Sequence, residues 1–385
     1  MIKTFKRLPF RDFHTIKILD GYDNQNKSLS LFVNNYLREN KAIGSKDRLE
    51  VLKNVYDIIR YKLIIDYLSK DSKSWEKKLE IYKSFNFKKA FDDPKIPIYI
   101  RLNFPKELFD LLIFSYSEEK AIEICTISNK RAPLTIRSNP LKTTHNNLYT
   151  ILINKGINVE LCKKSNLGLT IKDPINLFTL DEYKNGFFEV QDEASQLVTL
   201  NCPPKPKQKV LDFCAGSCGK TLCFAPNMKN SGVIYINDVR EQVIKEGKKR
   251  LKRASVTNYQ IFPSIKKRSK FFNKMDYILL DVPCSGTGTI RRNIDMKYRF
   301  SKNMLENLLK KQKEIFDEAF KYLKPGGIII YATCSILSAE NEDQVKYFLD
   351  NYPIEKIQNN FKTLPEENGF DGFFAAYFKK HDFLK

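Results

Sequence analysis

No stretch of the 385 residues approaches the roughly 20 consecutive apolar positions that a membrane-spanning helix needs, so no membrane partner is expected. The opening residues, Met1 to Thr15, are basic and aromatic and lack the apolar core of a secretory signal. Asp12 speaks against an organelle-targeting leader, so the cytoplasm is the expected compartment and an organelle the alternative. Histidine is scarce, with three in the chain, and none lies near Cys214, Cys218 and Cys223. Those cysteines are not spaced as the Cys-x-x-Cys pair of a structural zinc site, so no metal is expected. Internal repeats and low-complexity tracts are also missing.

What is present describes a soluble globular chain: 42% hydrophobic, 12% aromatic and 29% charged residues. At roughly 100–200 residues per domain, two or three domains are expected. Lysine and arginine exceed aspartate and glutamate by 66 to 45, a net charge of +21. A surplus of that size points to a polyanionic partner, most simply nucleic acid. The competing explanation is a lysine-rich genome, which abundant Asn and Ile would accompany. Eight cysteines without a secretory signal read as free thiols.

Helical periodicity dominates the first part. Leu29, Phe32, Val33, Tyr36 and Leu37 form one stripe, broken at Ile43-Gly44-Ser45. A second helix is expected from about Lys46, with Leu49, Leu52, Val55, Tyr56 and Ile59 on its buried face. A less regular one is expected over Ile64–Tyr82. Residues 1–95 therefore predict a helical bundle. Asp92-Asp93-Pro94 and Ile96-Pro97 mark a linker. A helix over 105–125 beginning at Pro105, a strand over Pro133–Arg137 and a helix over Asn146–Asn154 suggest a small α+β subdomain at 98–185. In the remainder, 186–385, strands at Lys209–Phe213, Gly232–Ile236, Tyr259–Phe262, Tyr277–Leu280 and Gly327–Tyr331 alternate with helices at Glu241–Arg253 and Met304–Tyr322. That alternation predicts an α/β fold with a doubly wound, Rossmann-like parallel sheet.

Ligands of such sheets sit beyond the carboxyl ends of the strands. Cys214-Ala215-Gly216-Ser217-Cys218-Gly219-Lys220 follows one strand and opens a helix, a place for close backbone approach and N–H donation. Asp238, ending the next strand, suits the hydroxyls of a ribose, and the two together suggest a nucleoside-containing cofactor. Gly219-Lys220-Thr221 also ends like a phosphate-binding P-loop, but the first glycine of that pattern falls on Cys214. An ordinary strand-to-helix turn is the third reading. Asp281-Val-Pro-Cys-Ser-Gly-Thr-Gly288 and Tyr331-Ala-Thr-Cys-Ser335 each follow an apolar strand. Cys284 and Cys334 would then face one pocket. A lone cysteine at a strand end is usually just small and buried. Two at equivalent ends are harder to dismiss.

These segments, with Val190-Gln-Asp-Glu-Ala-Ser-Gln-Leu-Val198, Arg291-Arg292 and Glu340-Asn341-Glu342, resemble the RNA cytosine-C5 methyltransferases, most of all the bacterial 16S ribosomal RNA type. Gly44-Ser-Lys-Asp-Arg48 and the helix through Arg60 are similar to that type's antitermination-factor-like domain. Phe104-Pro105 and Leu134–Lys142 resemble its RNA-contacting middle part, and Asp371-Gly-Phe-Phe-Ala375 its closing motif. The resemblance implies S-adenosylmethionine as cofactor, held by residues 214–220, Asp238 and Asp281. It implies Cys334 as the nucleophile at cytosine carbon 6, Cys284 as the group assisting release, and Asp281 as the contact to the cytosine edge. The thiolate is the attacking form, so the nucleophile's pKa must be lowered by its surroundings.

The implied partner is RNA, ribosomal in preference to transfer RNA, acted on by a monomer. A non-catalytic RNA-binding assembly factor is the alternative from another class. Lys245, Lys248, Lys249, Arg250, Lys252 and Arg253 on one helix, and Lys266, Lys267, Arg268 and Lys270 beyond it, are candidate phosphate contacts or simply a solvated lysine-rich face. The chain departs from the family's Cys-Ala-Ala-Pro-Gly-Gly-Lys loop at Gly216, Ser217 and Cys218. It has Ser264 near where an acid would meet adenine. Ile294 stands where a proline follows the twin arginines, with Asp295 kept.

Overall fold

A computed structural model describes residues 8–22, 28–70, 72–84 and 86–382. The first seven residues of the stretch considered for a targeting leader lie outside the described residues. The chain divides into two compact units, Met1–Arg131 with Ile290–Lys302 and Ala132–Thr289 with Asn303–Lys385.

The first unit is helical. Helix Leu29–Glu39 starts where the Ser28 side chain accepts the Leu31 amide, and helix Ser45–Arg60 starts after Gly44, as the break predicts. The buried face of the second of these is Val51, Val55, Ile58 and Ile59, while Leu49 is 71% exposed. Residues two apart lie about 200° apart round a helix, so Leu49 and Val51 cannot both face the core. Flanking half-buried Leu52 and Tyr56 made either stripe readable from sequence. The irregular 64–82 segment is two helices, Lys62–Leu68 and Trp75–Ser84, separated at the left-handed Lys70 and joined by a Lys78–Asp66 ion pair of 2.7 Å. Helices Lys106–Ser115 and Glu118–Ser128, expected within the 98–185 subdomain, belong instead to this helical unit. Ile294 joins its core, and Asp295 accepts the Tyr22 hydroxyl at 2.9 Å and the Leu29 amide at 3.2 Å.

The second unit carries two sheets. Strands β1 (Leu134–Ser138), β2 (Val159–Leu161), β3 (Gly168–Ile171) and β4 (Phe188–Val190) form an antiparallel sheet in the order β2-β3-β1-β4. The larger sheet holds β5 (Lys209–Asp212), β6 (Val233–Ile236), β7 (Tyr259–Ile261), β8 (Met275–Asp281) and β9 (Leu323–Thr333), followed by β10 (Ile354–Lys356), β11 (Phe361–Lys362) and β12 (Phe374–Lys380). Its order is β10-β12-β9-β8-β5-β6-β7, with β11 beside β12. Strands β5 to β9 are parallel and β12 runs antiparallel against β9. The doubly wound expectation is met.

Strand order reverses between β5 and β8, the switch point where such sheets open a crevice. Apolar faces on both sides explain why β5, β8 and β9 read as unbroken hydrophobic runs. Among the described residues no helix is long and apolar enough to cross a membrane.

The helix-face correction is testable by urea denaturation. Ile58→Ala should cost about 2–5 kcal/mol, as truncation of a fully buried side chain does. Leu49→Ala should stay within about 0.5 kcal/mol, as exposed substitutions do. Comparable losses at both positions would reject the buried face described here.

Candidate active site

Four loops leave the carboxyl ends of β5, β6, β8 and β9 on one edge of the large sheet. Asp281, the last residue of β8, pairs in register with Ala332 of β9. Parallel strands in that register deliver Cys284 and Cys334, three and two residues on, to the same place. Their sulfurs are 3.4 Å apart, and both residues are half-buried.

Either sulfur could donate to the other. The contact with Cys284 lowers the Cys334 pKa, outweighing burial and the nearby Asp281 charge, and the Lys220 ammonium adds to the lowering. The same bond, with burial, raises the Cys284 pKa well above the usual thiol range. The contact therefore favours ionisation at 334 over ionisation at 284.

A buried polar network holds both loops still. Glu340 accepts the Ser285 amide at 2.8 Å, the Ser285 hydroxyl, and the Gln312 amide group at 2.9 Å. Gln312 also donates to the Pro283 carbonyl, at 3.0 Å. Asn341 binds the Thr333 hydroxyl at 2.6 Å and donates to the Ser335 carbonyl at 2.9 Å. Gly288 donates to the Cys334 carbonyl, and Gly372 to the Gly288 carbonyl, both at 2.9 Å. A side chain on Gly288 would stand 2.1 Å from the Gly372 oxygen, so both glycines are needed where the chains cross.

Lys220, near the start of helix Gly219–Phe224, is buried with its ammonium 2.6 Å from Asp281 and 5.3 Å from the Phe373 ring centre. Burial works against its charge, but the Asp281 carboxylate outweighs this and raises its pKa. Asp212 lies behind it. One oxygen takes the Thr221 hydroxyl; the other is buried with no hydrogen-bond partner. Burial, with Asp281 and Asp238 nearby, raises the Asp212 carboxyl to about 7.

Asp238 accepts the Gly216 amide at 2.9 Å and is gripped by Arg240, whose Nε and Nη2 both lie 2.9 Å away. Burial disfavours its charge, but these donors win and lower its pKa. Arg240 itself is 64% exposed. Ala215 and Ser217 complete the loop. Gly219 has open space where a Cβ would be, and Gly216 has only the Arg240 side chain in that direction, at 3.9 Å.

Cys284, Cys334, Asp281, Lys220 and Asp238 thus lie at the carboxyl ends of the strands, on or just beyond β5, β6, β8 and β9, while the Cys218 side chain is buried in the core. Cys214, Cys218 and Cys223 do not converge. Cys214 packs in the core on one face of the sheet, Cys218 in that on the other, and Cys223 donates to the Gln196 carbonyl at 3.5 Å. Lys220 is spent on Asp281, which removes the cation a P-loop would need. Ser264 is exposed, beside a buried Phe262. Helix Glu241–Arg253 is not uniformly a basic solvent face. Lys245, Lys248, Lys249 and Lys252 are exposed, but Arg250 and Arg253 turn inward onto buried Glu189. Glu189, Arg240, Asp212 and Gln312 were not anticipated as contributors. Only the position of Asp212, at the strand end before the loop, could have signalled one of them.

A family described as 16S rRNA methyltransferase RsmB/F matches residues 198–379, and its ferredoxin-like domain matches 104–177. The ribosomal RNA small subunit methyltransferase B of Vibrio cholerae is 33% identical over 288 residues, 73% of this chain and 66% of that protein. The human 28S rRNA (cytosine(4447)-C(5))-methyltransferase is 32% identical over 310 residues, 71% of this chain and 37% of its own length. The chain thus spans just under two thirds of the bacterial relative. A methyltransferase homologue from Pyrococcus horikoshii shares the fold with a TM-score of 0.66 at 28% identity, covering 73% of this chain and 97% of that one.

The sulfur contact makes a chemical prediction. Brief iodoacetamide treatment near neutral pH, read by peptide mass spectrometry, should label Cys334 ahead of Cys284. In Cys284→Ala the contact is gone, so the Cys334 pKa rises and its labelling shifts to higher pH. An unchanged pH profile in the variant would show that the sulfur contact does not set the thiolate.

Proposed function

The chain belongs to the 16S rRNA methyltransferase RsmB/F family, and on that footing we propose that it methylates carbon 5 of cytosine in RNA, with 16S-type ribosomal RNA as substrate. The observation that carries this reading is the 3.4 Å contact between the Cys334 and Cys284 sulfurs, which lowers the Cys334 pKa. S-adenosylmethionine, when bound, would supply an electrophilic methyl group; the rest of the chemistry falls to the protein.

The residues present suit that cofactor. Asp238 offers two carboxylate oxygens to a pair of ribose hydroxyls, with Arg240 yielding them. Residues 214–220 leave open space at Gly219 for a close backbone approach. The unpartnered oxygen of Asp212 suits a cationic ligand group.

Carbon 5 of cytosine is a poor nucleophile. Addition of the Cys334 thiolate to carbon 6 makes the ring enamine-like and carbon 5 reactive. Asp281, a third exposed, hydrogen-bonds the cytosine edge and stabilises its protonated ring nitrogen, while Lys220 holds that carboxylate in place. Once carbon 5 carries its methyl group, its proton passes to solvent water, the electron pair left behind restores the carbon 5–carbon 6 double bond and expels the Cys334 sulfur as the thiolate, and the ring nitrogen gives its own proton back to solvent. Cys284 stands where its S–H can meet the departing sulfur. The base must leave its stack for the thiolate to reach the ring.

RNA contact is assigned to the helical residues 1–95, to the segment 98–185, and to the exposed lysines of helix Glu241–Arg253 with Lys266, Lys267 and Lys270. The enzyme is proposed to act as a cytoplasmic monomer.

Two experiments test this. Calorimetry on Asp238→Ala should show S-adenosylmethionine affinity weakened by about 1.5–3 kcal/mol, roughly tenfold to a hundredfold. Unchanged affinity would place the cofactor elsewhere. For the cysteines, Cys284→Ala should attack and then stall, leaving RNA attached through denaturing electrophoresis. Cys334→Ala and the double variant should give no such band, and neither single variant should turn over. A trapped complex with Cys334→Ala and none with Cys284→Ala would reverse the roles and remove the main argument for this reaction.

A further inference from the structure

The loop after β5 is closed by one bond of its own, the Cys218 amide donating to the Ala215 carbonyl at 2.7 Å, and takes its other partners from outside, the Asn237 carbonyl and Asp238 among them. Cys218 caps helix Gly219–Phe224 in the left-handed region, at φ 63°, a conformation that L side chains other than Asn and Asp seldom adopt. Such strain persists only where the surroundings over-determine it. Here the surroundings are helix Glu241–Arg253.

At Gly247 an added Cβ would stand 2.6 Å from the Cys218 sulfur, so the helix is notched where that side chain enters it. One turn on, Arg250 donates through Nη1 to the Ser217 carbonyl at 2.9 Å and to the Ser217 hydroxyl at 2.7 Å. Its other edge lies on Glu189 of β4, Nη2 at 3.0 Å and Nε at 3.3 Å. The Glu189 side chain is only 4% exposed and also pairs with Arg253, which stacks 3.9 Å over the Tyr183 ring. A guanidinium fork suits this double grip, and a single ammonium cannot reproduce both edges.

We propose that Arg250 is a positioning residue for the cofactor: anchored on Glu189, it fixes Ser217 and so sets residues 214–219 in the shape that receives S-adenosylmethionine. This deepens the function proposed above and rests on it. The arginine lies behind the loop and acts through Ser217. The basic helix therefore has two jobs, with lysines facing outward and Arg250 facing the loop.

Arg253 supplies the control, because it shares the Glu189 anchor and has no bond to the loop. Arg250→Ala should weaken S-adenosylmethionine binding about tenfold by calorimetry, the loss of charged hydrogen bonds to the loop. Arg250→Lys should fall between it and the wild type. Arg253→Ala should lower thermal stability as much as Arg250→Ala does, yet leave cofactor affinity within about twofold of wild type. In the cofactor-free protein, amide exchange over 214–219 should quicken in Arg250→Ala and stay unchanged in Arg253→Ala.

Equal loss of affinity in both alanine variants would reduce Arg250 to a part of the fold, and wild-type affinity in Arg250→Ala would overturn the proposal outright. If the unmodified protein binds no S-adenosylmethionine, the functional reading falls first and takes this role with it; that result appears before any variant is made.

Discussion

A contact between two sulfurs is the interaction on which the rest depends. It lowers the pKa of Cys334 and raises that of Cys284, a distinction that burial and spacing along the sequence cannot make. The contact exists because β8 and β9 are parallel neighbours whose carboxyl ends are in register, Asp281 opposite Ala332. It stays in place because Glu340, Asn341 and Gln312 hold the two loops with buried hydrogen bonds. Buried polar groups that are fully satisfied make a rigid support, and a partial network would not.

Charge is arranged round that pair with equal economy. Asp281 opposes the Cys334 thiolate and Lys220 favours it, and the two charges are joined in a short ion pair. Farther along the edge, Asp212 and Asp238 add two more carboxyl groups, with Arg240 over one of them. Their mutual repulsion is part of what raises Asp212 to about 7. A cationic group arriving there would relieve it, which gives the β5–β6 end of the crevice a different chemical character from the cysteine end.

Much of this could be read in the sequence because the chemistry sits at strand ends. Apolar runs mark buried strands, and Asp281, Cys284 and Cys334 stand directly after two of them. What could not be read depends on partners remote along the chain. Glu189 and Arg250 are 61 positions apart, so the helix looked like a basic face until its inward arginines were seen. Leu49 and Val51 offered competing stripes, and only packing against the neighbouring helices chose between them. Strand β12 is buried on both faces and shows no alternation, so nothing marked it as the antiparallel partner of β9.

Methylation at carbon 5 must displace the hydrogen already there, whereas methylation elsewhere on the base leaves that hydrogen in place. RNA carrying tritium at cytosine carbon 5, incubated with the protein and S-adenosylmethionine, therefore tests the central claim directly. One tritium should reach the solvent for each methyl group transferred, and none with Cys334→Ala. Methyl incorporation without tritium release would contradict the account, because the reacting atom would then lie elsewhere.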